Sequence, residues 1–332
     1  LDSLITVANK IAVGQIEVGA GGGSDTTSDV PIAVNKKLRL RLLELNRART
    51  FGERVKAALK GFSFGEFKPE FPGVAEPRTG KSMGESCEDM AKTWQITRED
   101  QDLLAYESHQ KAAAAYARGF YADLVMPFRE LSVDNILRAD TNLAKLASLK
   151  PAFDKRSGKG TLTAGNSTNL SDGASVALLS SEQWAQDNNK EIQAYLVDAQ
   201  VAAVDFVAGE GLLMAPAWAV AQLLKRNNLK LQDFDFYEIH EAFAAQVLCT
   251  LKAWESEEFC KTKLGMDGAL GSIDRSKLNV VGSSLALGHP FAATGARIIA
   301  TAAKLLKEKG QGRVLISICT AGGMGVAAIV ER

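Results

Sequence analysis

The chain has 332 residues, 46% hydrophobic, 23% charged and 7% aromatic, a globular composition that excludes disorder and collagen-like repeats and suffices for about two domains. Its 39 basic residues balance 39 acidic ones, so no net field recruits nucleic acid and a small acyl or metabolite substrate fits better. The four cysteines, Cys87, Cys249, Cys260 and Cys319, form no CxxC pair, which argues against a zinc knuckle or disulfide framework and for a reducing compartment.

The chain opens inside an amphipathic pattern, with Leu4, Ile5, Ala8, Ile11 and Ala12 on one side of a predicted helix. No cap precedes that helix, so the expectation is a chain that begins mid-fold. Residues 15–20 read as a short buried strand ended by a turn at Gly21, Gly22 and Gly23. Residues 36–60 then carry nine basic and two acidic side chains interleaved with Leu38, Leu42, Leu45 and Val55. This basic amphipathic segment is either a solvated face or a docking surface for a membrane or partner. Phe62, Phe64, Phe67 and Phe71 follow among Pro69, Pro72 and Pro77, too broken for a long helix, and exposure of these rings would favour docking.

Helices are predicted over 85–94 and 98–119, the second with a capping box at Thr97, Asp100 and Gln101. Residues 161–164 and 174–179 read as strands flanking a small-residue loop. From residue 193 the order is strand, helix, strand, helix, strand, helix, strand, and the final strands, 314–318 and 325–330, are separated by Ala321, Gly322 and Gly323. Such alternation implies a sheet with helices on both faces. No apolar run reaches the roughly 18 residues of a membrane span.

Several short motifs lead nowhere. Residues 19–24 imitate a dinucleotide fingerprint but end in Ser24 with no acidic strand end following, and Gly80-Lys81-Ser82 imitates a P-loop that lacks its first glycine. The sequons at Asn166 and Asn169 have no secretory context. His109, among charged neighbours, reads as a surface histidine. His240 and His289 are different, because one stands where the run 234–239 hands over to a helix and the other in Gly288-His289-Pro290 before a small-residue helix start. Cys319 ends a buried strand beside a glycine turn. Each alone is more often a packing residue, but two imidazoles and a thiol at strand ends supply the base, thiol and amide donors of acyl transfer.

Those blocks resemble the thiolase family. Residues His240-Glu241-Ala242-Phe243 resemble its Asn-Glu-Ala-Phe block, Gly288-His289-Pro290 its Gly-His-Pro block, and Cys319-Thr320-Ala321-Gly322-Gly323 its C-terminal cysteine-glycine block. The stretch from Ala164 through Ser167 and Thr168 to Asp172-Gly173-Ala174 resembles its coenzyme A loop, and Met83-Gly84 also fits. Histidine at position 240 and Phe291-Ala292-Ala293-Thr294 are similar to the thiolase subunit of fatty-acid β-oxidation trifunctional complexes. The resemblance covers essentially the whole chain, except that the family's nucleophilic cysteine aligns just upstream of Leu1, so an N-terminally truncated chain is expected.

The resemblance implies a layered αβαβα fold with two related α/β halves, the first incomplete. Residues 1–30 and 165–185 would belong to the first half, 31–164 to an inserted loop domain and 186–332 to the second half. It implies cleavage of 3-ketoacyl-CoA by CoA, without metal or redox cofactor. His289 would be the base and help hold the thioester oxygen, Cys319 the acid and base, and His240 would donate to, or position water at, the oxyanion site, while Ala321 would supply an amide to a second oxyanion hole. Ala164, Ser167, Thr168 and Met83 would border the CoA moiety. A homodimer, a hydratase–dehydrogenase partner subunit and a bacterial cytoplasmic setting, or else a mitochondrial one, are further expectations. The alternatives are an acetyl-CoA acetyltransferase, a ketoacyl synthase-like enzyme, which has no use for Cys319, and a non-catalytic scaffold.

Overall fold

A computed structural model describes all 332 residues and divides into two compact units, Leu1–Asp25 with Ala75–Arg332, and Thr26–Val74. In the larger unit, helix α1 (Asp2–Ala12) turns Leu4 inward and is followed by β1 (Val18–Asp25). The predicted turn at Gly21–Gly23 is absent, because the strand runs through the glycines and pairs antiparallel with β2 (Gly173–Ser180). The reason is close approach. A Cβ at Gly22 would lie 2.2 Å from the Ser175 carbonyl oxygen, and one at Gly23 2.2 Å from that of Ala292.

Between them in sequence lie α4 (Met83–Thr93), α5 (Arg98–Ala117) and α6 (Leu143–Ala147), the labels α2 and α3 falling in the smaller unit at Lys36–Arg47 and Phe51–Leu59. Ser82 and Glu85 close a reciprocal capping box on α4. At α5 the Thr97 side chain accepts from Asp100 N, the half of the expected box that satisfies a free helical N–H. Residues 161–164 form no strand. Their backbone groups are taken by side chains: Glu88 accepts from the Thr161 and Leu162 amides and Asn166 from that of Thr163, which leaves a single bridge between Thr163 and Pro151.

After α7 (Glu182–Asp187) the chain builds a four-stranded sheet from β3 (Tyr195–Ala203), β4 (Phe236–Ile239), β5 (Arg313–Thr320) and β6 (Met324–Glu331), in the order β3-β6-β5-β4. Strands β4 and β5 are parallel, so a crossover joins them. It holds four helices, α9 (Ala244–Glu255), α10 (Glu257–Thr262), α11 (Ser284–Leu287) and α12 (Thr294–Lys309), while α8 (Ala215–Asn227) joins β3 to β4. No α-helix separates the last two strands, contrary to the predicted alternation. They form an antiparallel hairpin closed at Ala321–Gly323, where Gly322 and Gly323 take φ of 74° and 73°.

Alternation along the strands sends two sets of side chains to opposite faces. Leu315, Cys319, Ala327 and Ile329 join α8 and α9 in one cluster. Val314, Ile316, Ile318, Val326 and Ala328 join Leu4, Ile298, Ile299 and Leu306 in another, against which Ala177 and Leu179 of β2 pack. Thus α1 and α12 lie between the two sheets and α8 and α9 cover the far face, so helices and sheets alternate in layers.

The smaller unit is built differently. The predicted basic segment forms α2 and α3, broken at Ala48, and Thr50 closes a capping box with Glu53. Neither helix buries a residue. The buried side chain here is Glu66, which accepts two 2.7 Å hydrogen bonds from the Arg41 guanidinium, while Arg41 Nη1 donates to the Ala57 and Ala58 carbonyls. Phe62, Phe64, Phe67 and Phe71 are all exposed, Phe64 at 84%.

Candidate active site

His240 follows β4, and its backbone N–H continues the ladder by donating to the Ser317 carbonyl. This places its side chain at the carboxyl end of the parallel pair β4–β5, beside the end of β5 where Cys319 stands. Open α/β sheets place ligand sites at such strand ends. His289 arrives from the crossover, and its N–H donates to the Asn169 carbonyl and Ser171 Oγ. The two imidazole rings are 4.2 Å apart between centroids and inclined by 45°.

The loop 166–171 is stitched to both histidine segments. Thr168 N donates to the Ala242 carbonyl, Ala244 N donates to the Asn166 carbonyl, and Thr168 Oγ1 donates to the Ser284 carbonyl at 2.6 Å. Asn166 is itself held by α5 through Asp102 Oδ1. The predicted Ser167 and Thr168 therefore lie beside the histidine pair, with Ser167 Oγ buried and without a partner. Ala164 is exposed on the preceding loop. Met83 opens α4, half-buried against the cluster that contains Cys319. Ala321 is exposed in the hairpin two residues past Cys319.

Burial sets the protonation states. Desolvation, with help from Arg297, pushes the His289 imidazole down to about 4, against a small opposing effect of Asp25. His240 is also driven well below its ordinary value by burial, His289 and Arg297. Burial pushes the Cys319 thiol up to about 12. Near neutral pH the site thus presents two uncharged imidazoles and a protonated thiol, a base without its proton beside a loaded acid.

His109 is not the surface histidine the sequence suggests. It is buried, its Nδ1 accepts the Arg138 amide, and burial lowers it to about 4. Cys87 is fully buried in α4 close to Cys249 and Cys319, and burial raises its thiol well above the ordinary value. Such a thiol is inert unless activated.

The sequence reading gave no role to the residues that hold the site together. Glu241 accepts from Ser108 Oγ, Asn279 Nδ2 and the Leu285 amide, which ties α5, the crossover loop and α11 to the end of β4. Asn279 pairs through both side-chain atoms with the Ile239 backbone, serving as a substitute neighbour on the open edge of β4. His289 Nδ1 lies 2.7 Å from Thr294 Oγ1 and His240 Nδ1 2.8 Å from Ser284 Oγ, which also accepts from Arg297 Nη2 at 2.7 Å. Glu241 could have been suspected from its place next to His240; the others leave no local signal.

Comparison with known proteins is consistent along the chain. The profile "Thiolase, N-terminal domain" matches residues 1–183 and "Thiolase, C-terminal domain" matches residues 190–332. The chain is 44% identical to a 3-ketoacyl-CoA thiolase of Shewanella oneidensis and to one of Shewanella baltica, covering 99% of this chain and 76% of each relative. Among solved structures it superposes on the human mitochondrial 3-ketoacyl-CoA thiolase with a TM-score of 0.79 at 28% identity, and on a Bacillus anthracis acetyl-CoA acetyltransferase with 0.76 at 31%. In both cases 99% of this chain and 75% of the other is covered. The human enzyme has also been solved in complex with CoA.

Proposed function

The chain belongs to the thiolase family, and from that premise we propose that it is a 3-ketoacyl-CoA thiolase acting in fatty-acid β-oxidation. The observation that carries this reading is the His240–His289 pair, its rings 4.2 Å apart beside the strand end that bears Cys319. Family membership supplies the acyltransferase class; the roles below are what the geometry supports.

A cysteine thiolate attacks the C3 carbonyl of 3-ketoacyl-CoA after His289 has taken its proton. The C2–C3 bond then breaks, its electron pair leaving as the enolate of acetyl-CoA while the shortened acyl group stays on the nucleophilic sulfur as a thioester. Cys319 gives its proton to the enolate carbon, and acetyl-CoA departs. The Cys319 thiolate next deprotonates the incoming CoA thiol, whose sulfur attacks the acyl-enzyme and releases the shortened acyl-CoA. The proton held by His289 returns to the nucleophilic sulfur. Hydrogen bonds from His289 and His240 stabilise the thioester oxygen as it gains charge, and the Ala321 amide serves the acyl oxygen. Atoms and charge balance with CoA as the only co-substrate, so the steps need no metal or redox group.

The start of α1 packs against the start of α12, where a Cβ at Gly295 would lie 2.0 Å from Leu1 N, one residue from the Thr294 that meets His289. Ser167, Thr168, Ala164 and Met83 are proposed to border CoA. The division into residues 1–30, 31–164, 165–185 and 186–332, a homodimer and a bacterial cytoplasmic setting belong to the same reading. No helix is long and apolar enough to cross a membrane. Docking of a hydratase–dehydrogenase subunit on residues 36–60 is supported by their basic excess and the exposed rings that follow; Arg39 and Arg47 test it by charge reversal, whereas Arg41 is engaged with Glu66.

The deciding experiment follows loss of 3-ketoacyl-CoA absorbance with 3-ketopalmitoyl-CoA and acetoacetyl-CoA. It compares the gene product that contains this chain with the 332-residue chain itself. The gene product is expected to cleave the long substrate and to lose at least about 10³-fold in kcat on Cys319→Ala or His289→Ala, while the 332-residue chain is inert. Turnover by the 332-residue chain would move the nucleophile to a cysteine within it, Cys87 first; inactivity of both would overturn the enzymatic reading.

A further inference from the structure

The surroundings of His240 fix more than its position. Ser284 Oγ lies 2.8 Å from His240 Nδ1 and accepts from Arg297 Nη2 at 2.7 Å. A guanidinium can only donate, so one Ser284 lone pair is committed to Arg297 and the hydroxyl keeps a single proton to place. Ser284 is fully buried, and His240 Nδ1 is the acceptor available to that proton. The reverse arrangement, with Nδ1–H donating to Ser284, would strand a buried hydroxyl proton without a partner, which is the costlier state. His240 Nε2 has no protein partner although it is buried. Arg297 in turn is positioned on α12, its charge facing the buried Glu238 of β4, and its Nε is likewise unpartnered. The segment cannot slide, since the Ser284 carbonyl accepts from Thr168 Oγ1 and Glu241 holds the next amide.

We propose that Ser284 and Arg297 are positioning residues that lock His240 as the neutral Nε2–H tautomer, so that its one open hydrogen bond is a donor aimed at the substrate thioester oxygen. The substrate half of this statement rests on the thiolase reading; the tautomer half does not. A donor-only edge stabilises an oxygen that gains negative charge and gives nothing to a positively charged or hydrogen-donating group, so the relay acts on the reacting thioester rather than on CoA affinity.

The test needs no turnover. The chain holds three histidines, His109, His240 and His289, so long-range 15N–1H correlation spectra of 15N-histidine-labelled protein at neutral pH can be assigned with His109→Gln and His289→Gln. The expected pattern for His240 is protonated Nε2 and unprotonated Nδ1. Ser284→Ala should redistribute the proton between the two nitrogens, and Ser284→Thr, which keeps the hydroxyl, should restore the original pattern. A wild-type His240 protonated at Nδ1, or an unchanged pattern in Ser284→Ala, overturns the proposal. In the gene product that contains this chain, Ser284→Ala is expected to lower kcat about 10- to 100-fold with KM little changed, with rescue by threonine. A protonated Nε2 in an enzyme that cleaves no 3-ketoacyl-CoA would leave the relay standing and remove the thiolase assignment instead.

Discussion

The two compact units hold themselves together by opposite means. The larger one places three clusters of buried apolar side chains around its strands and helices, so its stability is distributed over many contacts and is lost cooperatively. Residues 26–74 leave most of their large apolar side chains exposed, Phe51 at 83% and Phe64 at 84%, and bury a carboxylate instead. Their cohesion runs through the Arg41–Glu66 fork and the caps at Asn35, Thr50 and Ser63. A region organised by a few polar bonds can open without the rest of the fold noticing, whereas a catalytic site built from groups more than a hundred residues apart in sequence cannot.

The largest expected effect comes from the core. Trp254 of α9 is fully buried in the cluster behind β5, and Trp254→Ala should cost about 3–5 kcal/mol in chemical denaturation of the larger unit. A loss below about 1 kcal/mol would mean that this cluster does not carry the fold.

Acid comes next and separates the units by pH. His109 and His289 are held near 4 in the folded chain, below their unfolded value, so the unfolded state binds more protons and stability falls as pH drops from about 6.5 to about 4, by at most about 3 kcal/mol for each group. Glu66 is lowered too, but in a lower pH window: Arg41 holds its carboxyl below the ordinary value, so its contribution persists until pH falls below about 4.5. Melting followed from pH 7 to 4 should therefore show the larger unit weakening first, and His109→Gln should flatten that slope. A flat profile over that range would contradict the buried neutral histidines.

The smallest effect on global stability is expected from Arg41→Ala, which should leave the melting temperature of the larger unit within about 1 °C while raising the rate of tryptic cleavage within 26–74 about tenfold or more. A matching fall in the melting temperature would show that the two units unfold together.

How far the sequence foretells this depends on where the partner of each residue lies. Strand-end placement of His240 and Cys319 is legible because each sits where an apolar run gives way to small residues, whereas His289 stands at no strand end but between α11 and the 3-10 turn Phe291–Ala293 of the crossover. A sheet covered by helices on both faces is legible from the alternation after residue 193, although its last two strands form a hairpin; the layered αβαβα arrangement is what the family resemblance implies. Gly21 to Gly23 mislead because glycine marks turns far more often than strands, and only their spatial neighbours, Leu4, Ser175 and Ala292, reveal why side chains are excluded. Residues 161–164 mislead because Glu88, more than seventy positions earlier, replaces a strand partner. His109 looks solvated amid charged residues, although its own side chain points to Arg138. The Ser284–Arg297 pair is silent for the same reason, as its meaning lies in a histidine 44 positions away.

The balanced charge of the chain conceals a final consequence. Residues 26–74 carry ten lysines and arginines against five acidic side chains, and the remainder carries the opposite excess. At neutral pH these opposing patches cancel at long range, yet each is felt within a Debye length of about 8 Å at physiological salt. In chromatographic language the protein is zwitterionic by region. It should be retained at low salt by cationic and anionic resins alike, through different regions of its sequence, and elute from either with modest salt.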